Sequence, residues 1–239
     1  MILVLQMKNL KCLPSFDLKI LAILFMTIDH IWAILFPNIR LLRAIGRLSF
    51  PIFIFLLIEG FTHTTNKRNY FLRLLFFAIL SEPIYDFTFY KTFYYPQNQN
   101  ILFLLALSFI FLYLLSKINQ FIDQKVKTDS IIVKTLTHIY LTLFFGFLAI
   151  IFRLDYSIYG IMMVYFMYLF KSHLIYFMII FLPITLLFLP NGSFQSLCFL
   201  SLILISLYNK EKGHSLKYFF YIYYPLHILT LGIINTLLH

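Results

Sequence analysis

Charge is scarce in this chain. Only 12% of its 239 residues are Asp, Glu, Lys or Arg, where a soluble domain carries roughly 25%. Too few polar side chains exist to cover a water-facing surface, so a soluble domain is excluded and lipid is the expected solvent. Cysteine is nearly absent too. Cys12 and Cys198 stand far apart and form no Cys-x-x-Cys, which leaves no basis for a disulfide framework or a zinc site. The chain has no phosphate-binding Gly-rich loop ending in Lys-Ser/Thr, no His-Glu-x-x-His, no Gly-x-Ser-x-Gly and no dinucleotide fingerprint. Hydrolase and metalloenzyme readings therefore lack support, and no metal is expected. Internal repeats and low-complexity tracts are also missing, and the longest polar stretch runs only from Asp123 to Ser130.

What is present is apolar and aromatic: 62% hydrophobic residues, 30 Phe and 17 Tyr, with a mean hydropathy of +0.89. Such an aromatic load suits lipid-facing helices and interfacial belts. Counted in spans of about 20 residues, the pattern gives about nine apolar segments. They run Phe16–Phe36, Leu48–Phe61, Tyr70–Phe89, Asn100–Phe121, Ile131–Phe152, Ser157–Phe170, Leu174–Leu189, Ser193–Tyr208 and Lys217–Leu238. The second and sixth are short. Ser81-Glu82-Pro83 interrupts the third, and Pro190-Asn191-Gly192 marks a tight turn between the seventh and eighth. The expected fold is all-α: a polytopic transmembrane helix bundle forming one domain over 1–239, with a bundle at about 16–238 after a short segment, 1–15.

Lys and Arg set the expected orientation. Assigning alternate connections to alternate sides places Lys8, Lys11, Lys19, Lys67, Arg68, Arg73, Lys117, Lys125, Lys127, Lys134, Lys171, Lys210, Lys212 and Lys217 together. Arg40, Arg43, Arg47, Lys91 and Arg153 remain opposite. The positive-inside rule makes the first group cytoplasmic, with the N-terminus inside. The formal charge of +10 then reads as topology signal and affinity for lipid headgroups. No basic patch is interleaved with a nucleic-acid motif, so no nucleic-acid partner is expected. The N-terminal region looks like a signal peptide, but no small-residue cleavage site follows and Asp29-His30 lies within the apolar run. It reads as an uncleaved first helix.

Ionisable groups at membrane depth are costly and need a partner or a purpose. The first helix carries Asp29 and His30. His30 fits a general base whose tautomer Asp29 sets; a buried hydrogen-bonded pair that fixes helix packing fits as well. Arg47, on the same side, fits either an oxyanion or acid-binding role or a salt bridge to Asp29 or Asp155. Glu59 and His63 share a helix face, and Glu59 fits equally a partner for Arg73. Lys67, Arg68 and Arg73 suit the phosphates of a nucleotide-containing donor or a plain cytoplasmic anchor. Glu82 and Asp86, four apart, repel, so a proton or a cation on one of them is expected. Asp155 and Tyr156 fall in the connection after the fifth segment. His227, beside Tyr224 and Pro225 in the ninth, fits a second catalytic group or a buried hydrogen-bonding histidine.

Several blocks together carry a family resemblance. They are Leu18-Lys19-Ile20-Leu21-Ala22, Met26-Thr27-Ile28-Asp29-His30, Arg43 through Phe53, Glu59-Gly60-Phe61-Thr62-His63-Thr64, Arg73 through Pro83, Asp155-Tyr156-Ser157-Ile158-Tyr159-Gly160, and Lys217 through His227. Over about 18–230 the chain resembles the TraX family, named for the enzyme that N-acetylates conjugative pilin at the inner membrane. One position departs from the pattern, with Leu104 where a threonine is expected. The resemblance implies a bacterial plasma-membrane acetyltransferase that draws acetyl-CoA from the cytoplasm. The acceptor would be an amine or hydroxyl, either a pilin-like N-terminus or an extracytoplasmic glycan. On that reading His30, oriented by Asp29, removes the acceptor proton, Arg47 or Tyr224 stabilises the oxyanion, and a covalent route through His30 or His227 is an alternative. Lys67, Arg68 and Arg73 hold the CoA phosphates. Glu59, His63, Glu82, Asp155 and Tyr156 serve substrate or structure. A proton- or ion-coupled transporter and a structural membrane partner are the rival classes.

Overall fold

Runs of Leu, Ile and Phe long enough to cover a bilayer satisfy their backbone only as helices, and the computed structural model, which describes residues 11–125, 130–188 and 192–238, is built from them. In chain order they are α1 (Ser15–Ile34), α2 (Arg40–Gly46), α3 (Ser49–His63), α4 (Lys67–Tyr90), α5 (Ile101–Lys125), α6 (Ser130–Ile151), α7 (Ser157–Phe170), α8 (Leu174–Phe188), α9 (Gly192–Ser196), a 3-10 turn (Leu197–Leu200), α10 (Ser201–Ser206) and α11 (Lys217–Leu238). The fold is an all-α polytopic membrane bundle. Four stretches among the described residues are long and apolar enough to cross a membrane: Arg40–His63, Ile101–Lys125, Ile131–Ile151 and Tyr218–Leu238. Taking α2 with α3, and α9 through α10, as single segments recovers the segmentation expected from hydropathy.

Two expectations change. The third segment is not interrupted at Ser81-Glu82-Pro83, because α4 runs unbroken with Pro83 inside it. Proline removes one backbone donor, and a membrane helix tolerates that where neighbouring elements hold it. Here the connection after α4 binds it on both sides of the proline's turn: Asn100 N donates to Glu82 Oε2 (3.1 Å) and Tyr95 N to Asp86 Oδ2 (2.7 Å). The eighth segment is not one helix but α9, the 3-10 turn and α10 in succession. Pro190 and Asn191 of the expected turn lie outside the described residues, as do Lys8 and Lys127 of the charge count.

Burial is uneven. α6 exposes Ile132, Leu136, Leu143, Phe147 and Ile151, a face suited to lipid. The short α3 and α7, of 15 and 14 residues, sit inside, with Ile52, Ile54, Ile58, Ile161, Met163 and Met167 closed to solvent. A helix of 14 residues rises roughly 21 Å, against about 30 Å of hydrocarbon. α7 therefore stops short of the bilayer's full depth, and α3 is long enough to cross only together with α2. Arg47 and Tyr156 immediately precede their first turns, which places both side chains at the floor of a recess.

Candidate active site

That recess is a cavity of about 240 Å³ lined by Asp29, His30, Trp32, Ala33, Arg43, Arg47, Tyr85, Phe89, Ile101, Asp155, Tyr156 and Tyr224. One wall is ionic. Arg43 Nη1 donates to both oxygens of Asp29 (3.1 and 2.9 Å), and Arg47 Nη2 reaches the same carboxylate (3.4 and 3.2 Å). Arg47 Nη1 donates to the Tyr156 hydroxyl (2.7 Å) and to Gln195 Oε1 (3.1 Å). Arg47 is buried, so these bonds are what makes its charge tolerable there. The Arg43 guanidinium also lies 4.3 Å from the centre of the Trp32 ring, a cation–π contact.

The close approach of α1 and α2 that builds this wall depends on Gly46. A Cβ at that position would collide with the Asp29 side chain and Cα. Gly46→Ala is expected to cost about 1–3 kcal/mol through overpacking. Its check is the temperature at which detergent-solubilised protein loses its monodisperse chromatographic peak; an unchanged temperature would contradict the close packing.

His30, which also lines the cavity, is backed by a second histidine. His30 Nδ1 and His227 Nε2 are 2.7 Å apart, with ring centroids at 4.9 Å. His227 Nδ1 lies 2.8 Å from the Tyr223 carbonyl. A carbonyl only accepts, so His227 Nδ1 carries a hydrogen. With both rings neutral, His227 Nε2 is then an acceptor and His30 Nδ1 the donor to it. This leaves Nε2 as the basic nitrogen of His30. Thr27 and Tyr223, one turn away, bond through their hydroxyls at 2.7 Å and fix the register of α1 against α11.

Tyr156 has a left-handed backbone (φ +57), as do Arg153 (+52) and Ser157 (+47). Residues other than glycine adopt this at some cost. Its ring stacks on Phe50 with centroids 3.8 Å apart, and together with the Arg47 bond this holds the turn. Asp155 Oδ1 accepts from the Tyr156 backbone N–H at 2.9 Å.

The structure thus brings together Asp29, His30, Arg47, Asp155, Tyr156 and Tyr224 around the cavity, with His227 directly behind His30. Asp29 does not orient His30. Successive helical residues point about 100° apart, so Asp29 faces the arginines and His30 faces α11. Of the two salt bridges considered for Arg47, the one to Asp29 forms. Glu82 and Asp86 accept from different groups, Glu82 also from the Asn100 amide.

At the other end of the bundle Glu59 pairs with Lys171 (3.0 Å) and approaches His63 (3.6 Å). It does not pair with Arg73, whose guanidinium packs 5.7 Å from the Tyr70 ring further along α4. Lys67 donates to the Phe61 carbonyl at 2.6 Å and lies over the Phe61 ring, leaving Arg68 as the exposed member of the expected phosphate-binding trio.

The sequence marks Arg43 only as an outer charge and as the first residue of a family block, and it does not mark Trp32, Tyr85, Phe89 or Gln195. The four-residue spacing of Arg43 and Arg47 was the available signal for the first. Gln195, one amide in an apolar run, gave none.

The chain is 36% identical over 108 residues to "Probable fimbrial assembly protein FimC, serogroup H1" of Dichelobacter nodosus, covering 40% of this chain and 44% of that protein. It is 31% identical over 96 residues to an uncharacterized protein of Rickettsia prowazekii (strain Madrid E), covering 40% of this chain and 35% of that one. The matches therefore span less than half the length of these curated relatives. No solved structure matches. The family model described as "TraX protein" matches residues 16–235, which includes every residue of the cavity, and the chain belongs to the TraX family.

Proposed function

We propose that this protein is an integral membrane acetyltransferase of the bacterial plasma membrane, with its N-terminus cytoplasmic. It moves an acetyl group from acetyl-CoA to an amine or hydroxyl, with the N-terminal amine of a pilin-like protein or an extracytoplasmic glycan as acceptor. The observation that carries the reading is the His30–His227 pair beside an arginine-rich cavity wall. Family membership and a relative named for fimbrial assembly support it.

Acetyl-CoA supplies an activated thioester carbonyl. His30 Nε2 takes the proton from the acceptor N–H or O–H, and the resulting imidazolium is stabilised by its Nδ1–H bond to His227. The acceptor atom bonds to the acetyl carbon, the carbon–sulfur bond breaks, and the proton on His30 passes to the departing thiolate. Arg43 engages Asp29 through Nη1 alone, so its other N–H groups, together with the Tyr224 hydroxyl, are the donors suited to the carbonyl oxygen as it gains charge. Arg47, already bonded to Asp29, Tyr156 and Gln195, acts by holding the wall in shape.

The test uses purified protein in nanodiscs with acetyl-CoA and a set of short peptide amines and simple glycans. Acetylated product, with equimolar release of CoA thiol, is the expected result. No CoA binding at millimolar concentration and no thiol release with any acceptor would overturn the proposal and favour flux measurements for a transporter.

A further inference from the structure

α1 and α11 meet along one seam. From the lysine-rich end upward, Phe16 packs edge-on against Phe220 (5.9 Å), Thr27 bonds Tyr223, and His30 bonds His227. At the lower end of this seam the chain before α11 folds back onto the first turn of α1. Ser15 N donates to the Glu211 carbonyl (2.8 Å) and Phe16 N to the Lys212 carbonyl (3.2 Å), and Ser15 Oγ donates to the Lys212 carbonyl (3.0 Å). Gly213 closes the turn with φ +66, where a Cβ would meet Phe16 and Pro14 at 3.0 Å.

This fold-back has an electrostatic result. The backbone of Lys212 is pinned above Ser15, and Lys19 lies one turn further on the same face of α1. The Lys19 ammonium sits 5.6 Å from the Phe220 ring, and the His214 ring is edge-on to Phe16 at 5.4 Å. Among the described residues neither lysine forms an ion pair. The adjacent Glu211 carboxylate accepts from the Asn209 amide (3.0 Å), and Asp17, two residues from Lys19, points to a different side of the helix. Lys19, the backbone of Lys212 and the His214 ring thus converge around the Phe16–Phe220 pair with no ion pair to either lysine among the described residues, an arrangement that an anion relieves.

We propose that Lys19, Lys212 and His214 form a phosphate-ester site at the lysine-rich end of the α1–α11 seam, filled by the phosphates of the acyl donor. The assignment to the donor rests on the acetyltransferase reading. Lys19 lies 11 residues before His30, roughly 16 Å along the axis. A donor whose phosphates rest here has a pantetheine arm long enough to cover that distance to the basic nitrogen of His30. The site also explains how phosphates are held although Lys67 is engaged by Phe61. A phospholipid headgroup offers the same phosphate ester chemistry, so the test separates the two sources.

Full-length protein is placed in phosphatidylcholine nanodiscs, and CoA binding is titrated calorimetrically for wild type, Lys19→Gln, Lys212→Gln and the double variant. In parallel, phosphatidylglycerol retained by each is counted by native mass spectrometry. Each single substitution is expected to weaken CoA on the order of tenfold or more, as for loss of a charged hydrogen bond, and the effect shrinks as salt is raised. Unchanged CoA affinity with lost phosphatidylglycerol keeps the site and assigns it to lipid. A folded double variant with wild-type affinity for CoA and wild-type phosphatidylglycerol retention overturns it. Wild-type protein that binds no CoA defeats the acetyltransferase reading instead, and the lipid arm still decides the site.

Discussion

Replacing His30 with alanine is expected, if the proposed acetyl transfer holds, to lower it by about 10²–10⁴-fold, the range lost with a positioned general base. The loss falls on kcat, and CoA affinity stays near wild type, because the donor's phosphates bind far from the ring. His227→Ala is expected to give a smaller loss in the same direction. It removes the acceptor that holds the His30 Nδ1 hydrogen, so His30 can adopt the other tautomer and turn its basic nitrogen away from the cavity. Rates are read by thiol release, and folding by chromatographic homogeneity. A folded His30→Ala protein that turns over at the wild-type rate would remove His30 from the chemistry.

Asp29→Asn produces the second large effect, and it falls on stability first. One carboxylate sits between two guanidinium groups, with side-chain exposures of 16% for Asp29 and 9% for Arg47. Neutralising it leaves Arg47 charged and buried with neutral hydrogen-bond partners only, at a cost of about 3–5 kcal/mol for a buried pair broken on one side. Arg43 is a third exposed and adds little. The signature is partial recovery in the double variant Asp29→Asn/Arg43→Gln, which lowers the excess positive charge in the wall. Thermal survival in detergent reads both. If Asp29→Asn kept full thermal stability yet lost all turnover, the carboxylate would act on the reacting atoms and not as the keystone of the wall.

The helices and their order were legible in the sequence because apolar runs of this length have one way to satisfy their backbone in lipid. Pro83 reads locally as an interruption because the bonds that hold α4 around it come from Tyr95 and Asn100, at distances along the chain that no local window covers. The site's members were found one at a time, as costly polar residues in apolar surroundings: Asp29, His30, Arg47, Asp155, Tyr156, Tyr224 and His227 all lie in or against the cavity. Their pairing was not legible. Asp29 and His30 look like a couple because they are neighbours in sequence, yet adjacent positions on a helix diverge, and each found its partner elsewhere. The same holds for Glu59, whose partner Lys171 lies 112 residues away. Gln195 carries one bond to Arg47 and nothing in its surroundings marks it.

The distribution of the six arginines is informative once the cavity is known. Arg40, Arg43, Arg47 and Arg153 fall on the lysine-poor side, where the positive-inside rule disfavours cations. Arg43 and Arg47 are held there by planar, multi-point bonding to Asp29, Tyr156 and Gln195, a geometry that a lysine cannot reproduce.

Ser15 bonds to Lys212, and His30 to His227, and each pair is separated by 197 residues. At ribosomal rates of about 5–20 residues per second, α1 waits on the order of 10–40 s after its own synthesis before α11 is made. Throughout that interval the first turn of α1 lacks the carbonyls that complete it, and His30 lacks the ring that sets its tautomer. A half-made chain therefore has an open seam, and on the proposed reading it lacks its base until insertion has brought the two ends of the bundle side by side.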